Sequence, residues 1–142
     1  MLVRLLYASR ASQPQTPAML DAIVSQCHAN NPRSGITGLL CYSNDIFMQV
    51  LEGGRAEVCA LYNRIVTDER HKDVNLLHFE EIDHRIFANW TMGQVNTAKI
   101  NPSLLLRYSE KAQLDPYTIS GKASMALLQE LIDTAAFIGR QH

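Results

Sequence analysis

The chain has 142 residues, 46% of them hydrophobic and 19% charged, with a formal charge of -1 at neutral pH. That is the size of one domain with a real core, and it gives no general electrostatic reason to expect nucleic acid or an anionic membrane surface as partner. No apolar run approaches the roughly 18 residues of a transmembrane helix, and Arg4 interrupts an N-terminal apolar block too short for a signal peptide.

Cys27, Cys41 and Cys59 are widely spaced and form no CxxC pair, which argues against a disulfide framework and a zinc site and for a reducing cytoplasm. The five histidines show no metal-binding spacing.

Val3, Leu5 and Tyr7 alternate with Leu2, Leu6 and Ala8, which predicts a buried, central first strand with Tyr7 facing the side of Val3 and Leu5. Thr16 then caps a helix with Pro17 at its first position, and Leu20, Ile23, Val24 and Cys27 form its apolar stripe. Pro32 ends it, leaving Asn30 and Asn31 at the exit. Gly35 to Tyr42 and Ile46 to Glu52 read as two arms of a hairpin around Ser43-Asn44-Asp45, closed by Gly53-Gly54. Gln49 stands between Phe47 and Leu51 at strand spacing, so a buried face would enclose an amide that needs partners.

Val58, Leu61, Tyr62, Ile65 and Val66 mark a second amphipathic helix, ending in Asp68-Glu69-Arg70-His71. Val74 to Ile82 predicts a fourth strand. Trp90 to Val95 predicts a fifth, with Trp90 and Met92 on one face. The order is the ferredoxin-like βαββαβ pattern with one more strand, an α+β fold with two helices on one face of the sheet. From Asn101 the composition shifts. Asn101-Pro102 opens a short helix with Leu104, Leu105 and Tyr108, and a loop with Asp115-Pro116 follows. Met125, Leu128, Leu131, Ile132 and Ala135 line a last helix that stops near Gly139. Residues 98–142 are too few for a domain, so this helical extension is expected to pack with residues 1–97, on the free sheet face or against another subunit.

Five segments in order, RLLYASRA, NNPRSGITGLL, FMQVLEG, DERH and RIFANWTMG, resemble the BLUF family of flavin-binding blue-light receptors over about residues 1–96. The resemblance implies a ferredoxin-like domain holding a flavin between the two helices, FAD with FMN or riboflavin as alternatives. It implies that Tyr7 and Gln49 form a light-responsive relay, with Trp90 and Met92 competing for a place near the glutamine. Excited flavin would take an electron and a proton from Tyr7, and the rearranged Gln49 amide would shift absorption to the red. The resemblance places Asn31 at the polar edge of the flavin ring and Asn30 beside it, and Arg64, Asp68, Arg70 and His71 near its ribityl or phosphate groups. Cys27 departs from a serine found in several relatives. Ile23, Val24, Ile36, Leu40, Phe47 and Ile65 would supply the apolar slot such a ring requires.

The expectation is a cytoplasmic photoreceptor with no fused effector, not an enzyme. It would signal through the fifth strand and C-terminal helices to a partner protein or a homo-oligomer, with no direct role for nucleic acid or membrane. Two other classes compete: a small-molecule enzyme using Tyr7 and His71 as acid–base groups, and a dimerisation module. Only the photoreceptor would be yellow.

Overall fold

The computed structural model describes residues 1–13 and 34–134. The expected first helix, with Ile23, Val24, Cys27, Asn30 and Asn31, lies outside the described residues, as do Ala135 and Gly139. The described elements are β1 (Leu2–Ala11), β2 (Thr37–Ser43), β3 (Ile46–Gly54), α1 (Arg55–Thr67), β4 (His71–Ile82) and β5 (Gly93–Asn96), then a 3₁₀ turn at Thr97–Lys99, α2 (Pro102–Leu106) and α3 (Gly121–Thr134). The strands form one sheet in the order β4-β1-β3-β2-β5. β1 runs antiparallel to β3 and β4, β2 antiparallel to β3, and β5 parallel to β2. This is the ferredoxin-like arrangement with a fifth strand at the β2 edge.

The period-two alternation of the central strands divides the core into two apolar layers. On one face Val3, Leu5, Tyr7, Ile36, Leu40, Phe47, Leu51 and Met92 are buried together with Val58 of α1. Leu61, Tyr62 and Ile65 continue the α1 stripe against this layer, whereas Val66, in the last turn of the helix, is exposed. On the other face Leu6, Leu39, Cys41, Met48, Val50 and Val95 meet Leu105 of α2 and Leu127, Leu128 and Leu131 of α3. The C-terminal helices therefore bury their apolar stripe on the second face of the sheet.

Local chemistry explains the boundaries. The β2–β3 turn places Asn44 at φ 52°, a left-handed conformation asparagine tolerates better than most residues. Asn101 caps α2 through its Oδ1, which accepts from Ser103 N at 3.0 Å, with Pro102 at the first helical position. Ser120 caps α3, its Oγ accepting from Ala123 N at 3.0 Å. At Gly38 a Cβ would stand 1.9 Å from the carbonyl oxygen of Val50, so only glycine permits this close pairing of β2 with β3.

Two expectations are corrected. β4 begins at His71, not Val74, because the chain turns at Glu69 and Arg70, where Asp68 Oδ1 accepts from Arg70 N at 2.9 Å, and enters the strand at once. The fifth strand is Gly93–Asn96, so neither Trp90 nor Met92 belongs to it. Residues 83–92 are irregular, strand alternation does not govern them, and Trp90 and Met92 pack on opposite faces of the sheet.

Candidate functional site

The polar centre of the α1-covered face is built on the register of two strands. Tyr7 of β1 stands directly opposite Gln49 of β3, a cross-strand pairing that brings residues 42 apart in sequence within side-chain reach. The Tyr7 hydroxyl donates to Gln49 Oε1. Gln49 Nε2 in turn donates to Met92 Sδ at 3.2 Å. Tyr7, Gln49 and Met92 are all buried, so this chain of donors and acceptors is shielded from water, where each hydrogen bond matters most. Trp90 takes no part in it. Its side chain is in the opposite layer, while its backbone carbonyl accepts from Gly38 N at 2.9 Å.

Apolar residues surround this chain. Leu40 pairs across the sheet with Gln49 on its other side, and Ile36 and Phe47 belong to the same layer. Ile65 is half-buried against it. The Tyr62 ring lies 5.8 Å from that of Tyr7, tilted by 56°. Tyr62 was not anticipated as a site residue, although its place on the α1 stripe, facing the same layer as Tyr7, was legible in the sequence.

At the end of α1 a second polar group forms. Arg70 holds Asp68 through Nη2 at 2.6 Å and Nε at 3.1 Å, and this hydrogen bonding lowers the Asp68 pKa against the opposing effect of partial burial. His71 Nδ1 lies 2.9 Å from Ser9 Oγ, and its ring meets Phe47 edge-on at 5.4 Å between centroids. Burial lowers the His71 pKa, Asp68 pulling the other way. His71 and Phe47 thus join the charged end of α1 to the apolar layer. Arg64 is exposed on α1. Among the described residues no cluster of histidine, cysteine or acidic side chains could hold a metal ion, and no helix is long and apolar enough to cross a membrane.

The donor set suits a flat, largely apolar ligand with a polar edge: an aliphatic and aromatic layer, one phenol, and one amide able to donate or accept. Fold and site together define a ferredoxin-like domain built around a buried tyrosine–glutamine–methionine hydrogen-bond chain. Residues 2–93 match the family model described as BLUF, sensors of blue-light using FAD, and the chain belongs to that family. Its members sense blue light through a bound flavin.

Among characterised relatives, the chain is 37% identical over 92 residues to photoactivated adenylate cyclase subunit beta of Euglena gracilis, covering 64% of this chain and 11% of that protein. It is 39% identical over 88 residues to the alpha subunit from the same organism, covering 62% and 9%. The chain thus spans about a tenth of the length of the curated relatives it matches. The photo-activated state of BlsA superposes with a TM-score of 0.83 at 28% identity, over 100% of this chain and 99% of that one. BlrB, a BLUF protein in its dark state, gives 0.78 at 29% identity over 94% and 96%. A bacterial light-regulated adenylyl cyclase gives 0.69 at 29% identity over 95% of this chain and 35% of that one.

Glu52, which the sequence presents only as the close of the second hairpin arm and part of FMQVLEG, is fully buried near the end of β3. Arg4, opposite it on β1, donates through Nε to Glu52 Oε2 at 2.7 Å. The signal was present: one cation and one anion, each inside an apolar strand.

Proposed function

We propose that this protein is a blue-light receptor that holds FAD non-covalently on the α1-covered face and reports light through the Tyr7–Gln49–Met92 chain. The buried hydrogen bond from Tyr7 to Gln49, continued to Met92, carries this reading. When bound, the flavin supplies a blue-absorbing chromophore able to accept an electron. Ile36, Leu40, Phe47 and Ile65 would line its slot, with Asn30, Asn31 and Ile23 contributed by the preceding segment. Asp68, Arg70 and His71 would meet the ribityl or phosphate end, with Arg64 an outlying contributor.

The chemistry of this chain's own residues follows from the donors and acceptors present. Tyr7 holds its phenolic proton on the bond to Gln49 Oε1, and would give it up only as its ring lost an electron, with the bound flavin as the acceptor of both. The amide of Gln49 can rotate or tautomerise, exchanging its accepting and donating ends. After rotation its NH2 group faces Tyr7 and its carbonyl faces Met92. A thioether sulfur accepts hydrogen bonds but cannot donate one, so Met92 loses its bond to Gln49 in that arrangement. The two amide orientations thus favour different positions of residues 85–92, which is the differential interaction a two-state signal needs.

From there the signal would pass through β5 and residues 98–142, acting as an extension of one compact unit with 1–97, to a partner protein or a second copy of the chain. In this reading the protein is a receptor, not an enzyme, and the free thiols of Cys41 and Cys59 accord with a reducing cytoplasm.

Absorption of the FAD-loaded protein in darkness and after blue light tests the reading. The wild type should shift reversibly to longer wavelength, and Gln49→Leu should keep its flavin and lose the shift. A normal shift in Gln49→Leu would refute the mechanism.

A further inference from the structure

Residues 83–92 leave β4 and rejoin the sheet at β5, and two side chains of β3 hold this segment from opposite faces. On the α1 side Gln49 meets Met92 near the segment's end. On the other side, three residues along the same strand, Glu52 meets its beginning. Glu52 Oε1 accepts from Phe87 N at 2.7 Å, and Oε2 accepts from Ile86 N at 3.2 Å and from Arg4 Nε at 2.7 Å. Hydrogen bonds to a buried carboxylate are among the strongest a backbone amide makes. Arg4 carries the network outward to Glu80, whose Oε2 lies 3.1 Å from His78 Nε2. Arg85 adds bonds to Thr37 Oγ1 at 3.0 Å and to the Glu52 carbonyl at 3.4 Å. Phe87 and Trp90 then lock into the second core layer, Trp90 N donating to the Phe87 carbonyl at 3.0 Å.

We infer that Glu52 is a positioning residue for the light response: its carboxylate pins Ile86 and Phe87, and so determines where Met92 stands against the Gln49 amide. The inference rests on the light-sensing reading above. With the start of the segment pinned, a change at Gln49 is concentrated in the few residues from Phe87 to Met92. Without the pin, the same change is absorbed along the whole loop, and the sulfur must search a wider volume to regain its bond to the amide. Glu52 touches no reacting atom, so it acts through Met92 alone.

The test compares FAD-loaded wild type, Glu52→Gln and Glu80→Gln in darkness and after blue light. It follows flavin absorption, the rate of dark recovery, and hydrogen exchange at the amides of residues 85–92. Glutamine keeps the shape of Glu52 but has one accepting oxygen and no charge, and Arg4 retains Glu80. Glu52→Gln should still shift to the red. Its recovery should slow about tenfold, and exchange at Ile86 or Phe87 should rise about tenfold, the scale set by one hydrogen bond to a charged group. Glu80→Gln weakens the outer end of the same network but leaves Glu52 its Arg4 partner and both amide contacts, so its recovery should stay within about twofold of wild type, the scale of an exposed ion pair. Wild-type recovery and exchange in Glu52→Gln would overturn the inference, as would equal slowing in Glu80→Gln, the mark of general loosening. If Glu52→Gln alone does not hold FAD, the charge-neutral double variant Arg4→Met/Glu52→Gln is measured against the same expectations. A wild type without any red shift would overturn the light-sensing reading instead. The dark exchange at Ile86 and Phe87 would still judge the pin.

Discussion

Replacing Gly121 with alanine should loosen the seat of α3 on β4. A Cβ at this position would stand 2.0 Å from the carbonyl oxygen of Leu77 and 2.9 Å from its carbon. Ordinary contacts begin near roughly 3.5 Å, so backbone on one side or the other must move by more than about 1 Å. Overpacking of this kind costs about 1–3 kcal/mol. Against it, alanine gains up to about 1 kcal/mol over glycine in a helix interior, and less at a first helical position such as this one, just after the Ser120 cap. The clash wins, for a net loss of about 1–2 kcal/mol. Urea unfolding at fixed FAD concentration measures it, since free ligand also shifts apparent stability. Trypsin supplies a local readout, because cleavage after Lys122, the next residue, should accelerate in the variant. Equal or greater stability with unchanged cleavage at Lys122 would refute the argument that Gly121 is there for the close approach.

Other outcomes follow from the site. Tyr7→Phe and Gln49→Leu share one buried hydrogen bond, so their destabilisations should fall short of additivity by about 1–2 kcal/mol in a double-mutant cycle; strict additivity would mean the bond contributes nothing. Met92→Leu preserves volume, should cost less than about 1.5 kcal/mol, and should change the dark-recovery rate of the flavin spectrum because the sulfur acceptor is gone. Trp90→Phe, altered on the opposite sheet face, should leave that rate much closer to wild type, and the reverse ranking would sink the assignment of Met92 to the site. His71, held below its ordinary pKa of 6.5 by burial, binds protons less readily when folded than when unfolded. Stability should therefore be retained above about pH 6.5 and fall as the pH drops from there through the folded-state pKa. His71→Gln should flatten that slope between pH 7.5 and 5.5 in urea titrations, and an unchanged slope would assign it to another group.

The first three strands, the α1 stripe and the faces on which Tyr7 and Gln49 stand were legible because each is a matter of period. The meeting of Tyr7 with Gln49 was implied by the family resemblance alone, since period does not fix which residues stand opposite across two strands. Tyr7 shares a face with Val3 and Leu5, and Gln49 with Phe47 and Leu51, through simple alternation. The position of Trp90 was not legible for the same reason. Alternation holds only where a ladder enforces it, and residues 83–92 follow side-chain anchors and backbone contacts instead. The role of Glu52 is likewise invisible to a one-dimensional pattern, because its partners, Arg4 on β1 and the amides of Ile86 and Phe87, are brought to it only when the sheet assembles. His71 was read as a helix end because its charged neighbours dominate the local composition, while its ring turns inward toward Phe47.

The sheet order leaves β4 and β5 at its two margins. An open margin is a template on which another chain can add a strand. β5 is only four residues long, and so offers little to extend. β4 is twelve residues long, with Leu76 and Phe79 exposed on it, which makes it the more vulnerable side. Its ladder to β1 is interrupted at two places, Asp73 takes φ 51°, and Arg55 reaches across to pair with Glu81 while its guanidinium sits 5.6 Å from the centre of the Phe79 ring. Kinks and charge of this kind deny an incoming chain a straight, neutral docking rail. The irregular edge next to β1 thus guards the strand that carries Tyr7 against being recruited into aggregates.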